Sequence, residues 1–244
     1  MKLNFRGNTV LVLGGGCSIG LALTALLLEE GLSVIPTHAS EGGKAAIYSK
    51  FPQLAGKSPW LDLSDKASQA GLSPLLETGV DYLVDLAHAD HEVLLAAAGE
   101  ADMDAYFQAG VANRLFLLKA VTRSMLARGF GRLVHLSSTA AAMPAPGQGF
   151  YCAAKRSAEG LYQSLALELA PRGISSVSLR LGLVDAGRGE RFLDKDNRRQ
   201  DLTQKIVTVD QAAGTLLFLL SDQAMALTCT TITMDAGLTA QKYA

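Results

Sequence analysis

The stretch Thr9-Val10-Leu11-Val12-Leu13-Gly14-Gly15-Gly16-Cys17-Ser18-Ile19-Gly20 decides how this chain is read. The apolar run Val10–Leu13 reads as a strand, the glycines as a turn, and the apolar residues after Gly20 as a helix. Glycines let backbone amides approach a phosphate, and a helix amino terminus with its macrodipole favours an anion there. A glycine turn alone is also a tight connection, but a strand before it and a helix after it favour a bound dinucleotide. Gly14, Ser18, Ile19 and Gly20 are the candidate contacts.

The same strand–helix alternation continues outward. Thr9–Leu13, Ser33–Thr37, Tyr82–Ala87, Arg132–Ser137 and Ile174–Leu181 read as strands, with helices at about 18–30, 41–50, 65–77, 102–128 and 152–171. Continuous apolar strands separated by helices imply a parallel sheet covered on both faces, and right-handed crossovers make it doubly wound. The expected fold is α/β: a single-domain, Rossmann-like, three-layered doubly wound parallel sheet spanning 1–244. Ligands of such sheets bind beyond the carboxyl ends of the strands, which collects Gly14–Gly20, Thr37–Ser40, Ala87–His91, Ser138 and Leu183–Asp185 in one cleft. The charged stretch Asp185–Asp201 follows a strand end. It reads either as a lid, at about 184–206, or as a solvated insertion.

Composition sets the outer limits. At 244 residues, with 49% hydrophobic and 18% charged residues, the chain holds one substantial core. A net charge of −1 and no dense basic run leave no footprint for nucleic acid or a membrane surface. The polar start Met1–Asn8 leads straight into a strand, so no secretory leader is expected and the reading is cytoplasmic. Cys17, Cys152 and Cys229 lack metal spacing and read as reduced thiols. His88 and His91 near Asp85 and Asp90 lack supporting ligands, so no metal is expected.

Two further patterns carry chemistry. About twenty residues beyond the glycine turn, where an acid would hold an adenosine ribose hydroxyl, the second strand ends in Thr37-His38-Ala39-Ser40. A carboxylate would repel a 2′-phosphate, whereas His38, Ser40 and Lys44 can accept one, so NADP(H) is preferred over NAD(H). Tyr151 and Lys155 lie four apart on one helix face, after a strand ending in Ser137-Ser138. A phenol has an ordinary pKa of about 10, which a neighbouring ammonium lowers. A hydroxyl opposite the pair would orient a carbonyl oxygen while Tyr151 gives or takes its proton.

Together these motifs resemble the short-chain dehydrogenase/reductase family, and within it the 3-oxoacyl-(acyl-carrier-protein) reductases. The likeness runs from Gly14 through Tyr151-x-x-x-Lys155 to the terminal stretch Thr230–Leu238. It implies that Asn113, Ser138, Tyr151 and Lys155 are catalytic: Tyr151 protonates the substrate oxygen, Ser138 hydrogen-bonds it, Lys155 holds the nicotinamide ribose, and Asn113 anchors a relay water. It also implies adenine contacts at Asp62 and Leu63, a cofactor contact at Ala87, and a place beside the nicotinamide for Val184.

The sequence departs from the family pattern on the cofactor side. Ser18 replaces a glycine, which would cost about 1–2 kcal/mol if that position needs a positive φ. Asp85-Leu86-Ala87-His88 replaces Asn-Asn-Ala-Gly, placing a carboxylate near the nucleotide that either joins a backbone network or pairs with His88. Arg172 matches a carrier-docking arginine and Arg128 lies one residue from another, so the resemblance implies a carrier-tethered acyl substrate with these arginines at the cleft rim; Arg172 reads equally as a surface charge complementing the carboxyl end of a helix. The resemblance further implies a homodimer or homotetramer. The expected activity is NADPH-dependent reduction of a β-keto acyl thioester of fatty-acid or polyketide type. The alternatives are a cofactor-deficient partner subunit of a hetero-oligomer, or a reductase of free small ketones.

Overall fold

The computed structural model describes residues 2–89, 92–194, 200 and 202–240. Six strands form one parallel sheet: β1 (Thr9–Leu13), β2 (Ser33–Pro36), β3 (Tyr82–Asp85), β4 (Gly131–Ser138), β5 (Ile174–Leu181) and β8 (Thr230–Met234), in the order β2-β1-β3-β4-β5-β8. Side chains alternate across it. Val10, Val12, Tyr82, Val84, Val134, Val177 and Leu179 enter one apolar core, while Leu11, Leu13, Leu83 and Leu133 enter a second on the opposite face. Helices α1 (Ser18–Glu29) and α8 (Val209–Leu220) cover the first face, and α5 (Arg114–Arg128) and α6 (Gly149–Leu169) the second. Two cores on one sheet make the three layers expected from the sequence.

Helix boundaries follow local chemistry. Cys17 caps α1, its Sγ accepting from the Gly20 amide at 3.3 Å, and Ser40 caps α2 (Glu41–Lys50) by accepting from Gly43 N at 3.0 Å. The stretch expected as one helix at 65–77 is a 3-10 segment, Lys66–Leu72, followed by α3 (Ser73–Thr78), whose Pro74 sits in the first turn. The expected helix 102–128 is α4 (Glu100–Phe107) and α5, joined by a turn of π-helix at Gln108–Asn113. Helix α8 carries a capping box between Thr208 and Gln211 that the strand–helix count overlooked. Arg132, fully buried, donates to the carbonyl of Leu219, left open at the end of α8, and to those of Ala224 and Leu227 in the turn that follows.

Two short strands outside the main sheet, β6 (Leu183–Val184) and β7 (Ile206–Val207), pair in parallel. They pin both ends of the stretch expected as a lid, which includes α7 (Arg188–Leu193). Residues 195–199 and 201 of that stretch lie outside the described residues.

Candidate active site

At the carboxyl ends of β1–β3 lies a cavity of about 510 Å³. Its near wall is largely backbone: Gly14, Gly16, Cys17, Gly42 and Gly43 line it. Gly14 adopts a φ of +72°, and its amide donates to Thr37 Oγ1 at 3.1 Å. A Cβ on Gly16 would stand 2.7 Å from the Gly43 Cα, so the amino ends of α1 and α2 meet at this wall. Helix amino ends favour phosphate. His38, Ser40, Asp62 and Leu63 line one end of the cavity, and Ala87, His88, Tyr151 and Lys155 the other. A long molecule with a central anionic group and two polar ends fits that outline.

The φ penalty considered for Ser18 does not arise. Among the described residues only Cys229 and Ala236 are non-glycines with positive φ, and Ser18 simply opens α1. Ser18, Ile19 and Gly20 stand behind the wall: Ile19 packs against the core, and a Cβ on Gly20 would strike the Gly15 carbonyl oxygen at 2.7 Å. Their contribution to the cavity is the helix amino terminus.

His38 enters the cavity as a neutral ring. Burial, helped by Lys44, pushes its pKa below the ordinary histidine value, and its Nδ1 lies 2.9 Å from Ser58 Oγ. Lys44 is 3.4 Å from Glu41, and the Ser40 oxygen already serves as a cap. This end of the cavity therefore presents hydrogen-bonding groups more than a fixed cation. Asp62 Oδ1 accepts from the amide and hydroxyl of Ser64 at 2.8 and 2.7 Å.

Tyr151 and Lys155 project from α6, both buried, and both line the cavity. Lys155 Nζ donates to the Leu136 carbonyl at 2.6 Å and stands 5.9 Å from the centre of the Tyr151 ring. Burial is the main cause that brings the lysine down to about 7, with Arg114 adding to it. Ser138 ends β4, its Oγ accepting from Ala140 N at 3.2 Å, which leaves its hydroxyl proton to donate elsewhere. The Tyr151 ring is flanked by His88, with centroids 5.8 Å apart, and by Arg188 from α7, whose Cζ lies 3.7 Å from the ring centre. Arg188 also pairs with Glu92 at 3.4 Å, so the base of the expected lid reaches the phenol.

Asn113 does not line the cavity. Its Nδ2 donates to the Leu63 carbonyl at 2.7 Å, its Oδ1 accepts from Gln108, and its own carbonyl accepts from Gln69 at 2.9 Å. It locks the Leu63 segment to the π-helical turn. Ser138 and Val184 are likewise absent from the wall; Val184 is buried in β6 against Leu181, Val207 and Ala212.

Residues 15–239 match a family model described as enoyl-(acyl carrier protein) reductase. The 3-oxoacyl-(acyl-carrier-protein) reductase FabG of Escherichia coli (strain K12) is 31% identical over 97% of this chain and 99% of its own length. The chain belongs to the short-chain dehydrogenase/reductase family. FabG of Vibrio harveyi, at 29% identity, covers the same shares. Among solved structures, a gluconate 5-dehydrogenase from Burkholderia cenocepacia J2315 in complex with NADP and tartrate superposes with a TM-score of 0.84 at 24% identity, covering 97% of each chain. A dehydrogenase/reductase from Sinorhizobium meliloti 1021 gives 0.81 at 25% identity, covering 96% of each chain. As a member of this family the protein is an oxidoreductase with a Rossmann-like fold.

Two departures from the family pattern are settled by contacts. Asp85 faces away from the nucleotide wall and pairs with Arg114, while Tyr162 donates to its Oδ2 at 2.8 Å and the Ala87 amide to its Oδ1 at 3.1 Å. His88 does not pair with it; its Nδ1 donates to the Leu86 carbonyl at 3.2 Å. His91 and Asp90, the other members of the weighed metal set, lie outside the described residues. The cleft-rim position implied for the two docking arginines is not where one chain holds them. Arg128 and Arg172 lie three and two positions before the first residues of β4 and β5, at the amino ends of the strands and so opposite the cleft, and Arg128 is paired with Asp81 at 2.7 Å. Sequence reading passed over Arg114 and Tyr162. The signal for the first was a charge directly after Asn113 at the head of an apolar helix.

Proposed function

We propose that this oxidoreductase reduces a β-keto acyl thioester to the β-hydroxy form, with NADPH preferred over NADH and with the acyl group tethered to a carrier. The observation that carries the reading is the joint presence of Tyr151 and Lys155 in one cavity with the Gly14, Gly16 and Cys17 wall and with a His38–Ser40 segment that carries no acid. A bound reduced nicotinamide supplies the hydride. Tyr151 donates its proton to the oxygen that gains charge as hydride reaches the carbonyl carbon, and Ser138 donates a hydrogen bond to the same oxygen. The Lys155 ammonium favours the phenolate that results and holds the nicotinamide ribose. His38 and Ser40 donate to the 2′-phosphate. FabG relatives spanning nearly the whole chain support the acyl substrate. Subunit assembly as a dimer or tetramer is part of the same reading.

The test is fluorescence titration of purified protein with NADPH and NADH, followed by turnover of an acetoacetyl thioester. Tighter NADPH binding with turnover is the expected result. Affinity for neither nucleotide would instead mark a partner subunit, and turnover of small free ketones alone would displace the thioester.

A further inference from the structure

Arg114 lines the cavity, and behind it lies a cluster of charged and aromatic groups that no step above uses. Asp85 is fully buried at the end of β3, and its carboxylate accepts from three segments. Arg114 reaches it from the head of α5, Tyr162 from α6, and the Ala87 amide from the cleft loop. Arg114 in turn donates through Nη2 to the Ala87 carbonyl at 2.8 Å and through Nε to the Gly110 carbonyl at 3.0 Å. Gly110 belongs to the π-helical turn that ends in Asn113. Tyr162 lies two turns beyond Lys155 on α6, and its ring stacks on His135 with centroids 4.8 Å apart and planes at 11°.

We propose that Asp85, Arg114 and Tyr162 are positioning residues: one buried carboxylate fixes the helix bearing Tyr151 and Lys155, the turn bearing Asn113, and the loop bearing Ala87 relative to one another. For its catalytic consequence the proposal rests on the reductase reading; for its geometric content it does not. A buried ion pair is a poor device for stability alone, because desolvation of both ions offsets their attraction, whereas a charged hub with directed donors specifies one arrangement. The donors on Asp85 come from the segments that a hydride-transfer site must hold in register. A misplacement of about 1 Å costs on the order of a hundredfold in rate.

The groups facing Asp85 set its charge. Burial opposes ionisation, but Arg114, with Lys155 nearby, holds the carboxylate down to about 2. Burial and Lys155 keep His135 neutral, so its ring serves as a flat support for Tyr162. The hub therefore stays ionised throughout the pH range in which Lys155 titrates.

The experiment compares the full-length parent with Tyr162→Phe and with the double variant Asp85→Asn/Arg114→Leu, which removes both charges and leaves no ion unpaired. Four quantities are read: thermal midpoint, NADPH affinity, kcat and KM on an acetoacetyl thioester, and amide hydrogen exchange over residues 108–113. The double variant is expected to fold with a midpoint near that of the parent, and Tyr162→Phe, whose altered group lies off the cavity, to keep parental NADPH affinity as well. Its kcat should fall about tenfold or more with KM little changed. Exchange across the turn should quicken by about tenfold. Tyr162→Phe should move kcat and exchange in the same direction, by about threefold. A folded double variant with parental kcat and parental exchange would overturn the proposal. If the double variant fails to fold, Tyr162→Phe decides by the same two readouts. If the parent itself reduces no thioester, the substrate reading falls, and exchange over 108–113 still upholds or overturns the hub.

Discussion

The two halves of the cleft absorb sequence change in different ways. On the nucleotide side the wall is backbone, so the replacement of a glycine by Ser18 costs little: the helix simply begins there, with Cys17 as its cap. On the catalytic side the wall is backed by side chains, and there a change in one has a partner in another. A carboxylate at Asp85 is matched by a guanidinium at Arg114 and a phenol at Tyr162. Backbone sites tolerate what their φ allows, while side-chain sites tolerate what their charge and hydrogen-bond count allow.

The sharpest way to separate the halves is Tyr151→Phe. Loss of the phenolic proton should lower kcat by about 10²–10⁴-fold, while NADPH affinity stays close to that of the parent. Steady-state kinetics beside fluorescence titration reads both, and retained turnover would remove Tyr151 from the proton-donor role.

Lys155 joins the halves, and its effect is next in size. Burial brings it down to about 7, so it is cationic below that pH and neutral above it. Affinity for the anionic NADPH should therefore be highest below neutrality and weaken as pH rises, by at most about tenfold per pH unit. Binding should be accompanied by proton uptake near neutral pH, because the bound anion draws the lysine back to its charged form. Lys155→Met should flatten the profile; a parent whose affinity does not change with pH would break the link between the halves.

The smallest effect belongs to Ser18→Gly. Restoring the family glycine should not tighten NADPH binding, since Ser18 has an ordinary helical backbone. Stability should drop by less than about 1 kcal/mol, because glycine loses more freedom on entering a helix. A gain in affinity would show that the serine obstructs the wall.

Much of this was legible in the chain because periodicity and turn chemistry are local. Val10–Gly20 gave the first strand, turn and helix, and Tyr151 and Lys155 share a face by spacing alone. What stayed hidden depended on contacts between distant segments. The break of one expected helix into α4, a π-helical turn and α5 leaves no mark in the apolar pattern of 102–128. Asp85 read as a hazard to the nucleotide because its partner lies 29 residues away. Arg128 and Arg172 read as rim residues because the resemblance put them there, although both precede strands whose carboxyl ends form the cleft.

The contact of Gly16 with Gly43 limits how this cleft can be redesigned. Any attempt to retarget the nucleotide by exchanging His38 or Ser40 for larger or charged side chains acts through α2, and α2 is seated on α1 by two glycine backbones. Libraries that vary residues 38–44 should therefore leave Gly16 unchanged, since a side chain there would push α2 off the phosphate turn, whereas a Cβ on Gly43 would stand an ordinary 3.8 Å from the Gly16 Cα and crowd only Ser40 Oγ, at 3.2 Å.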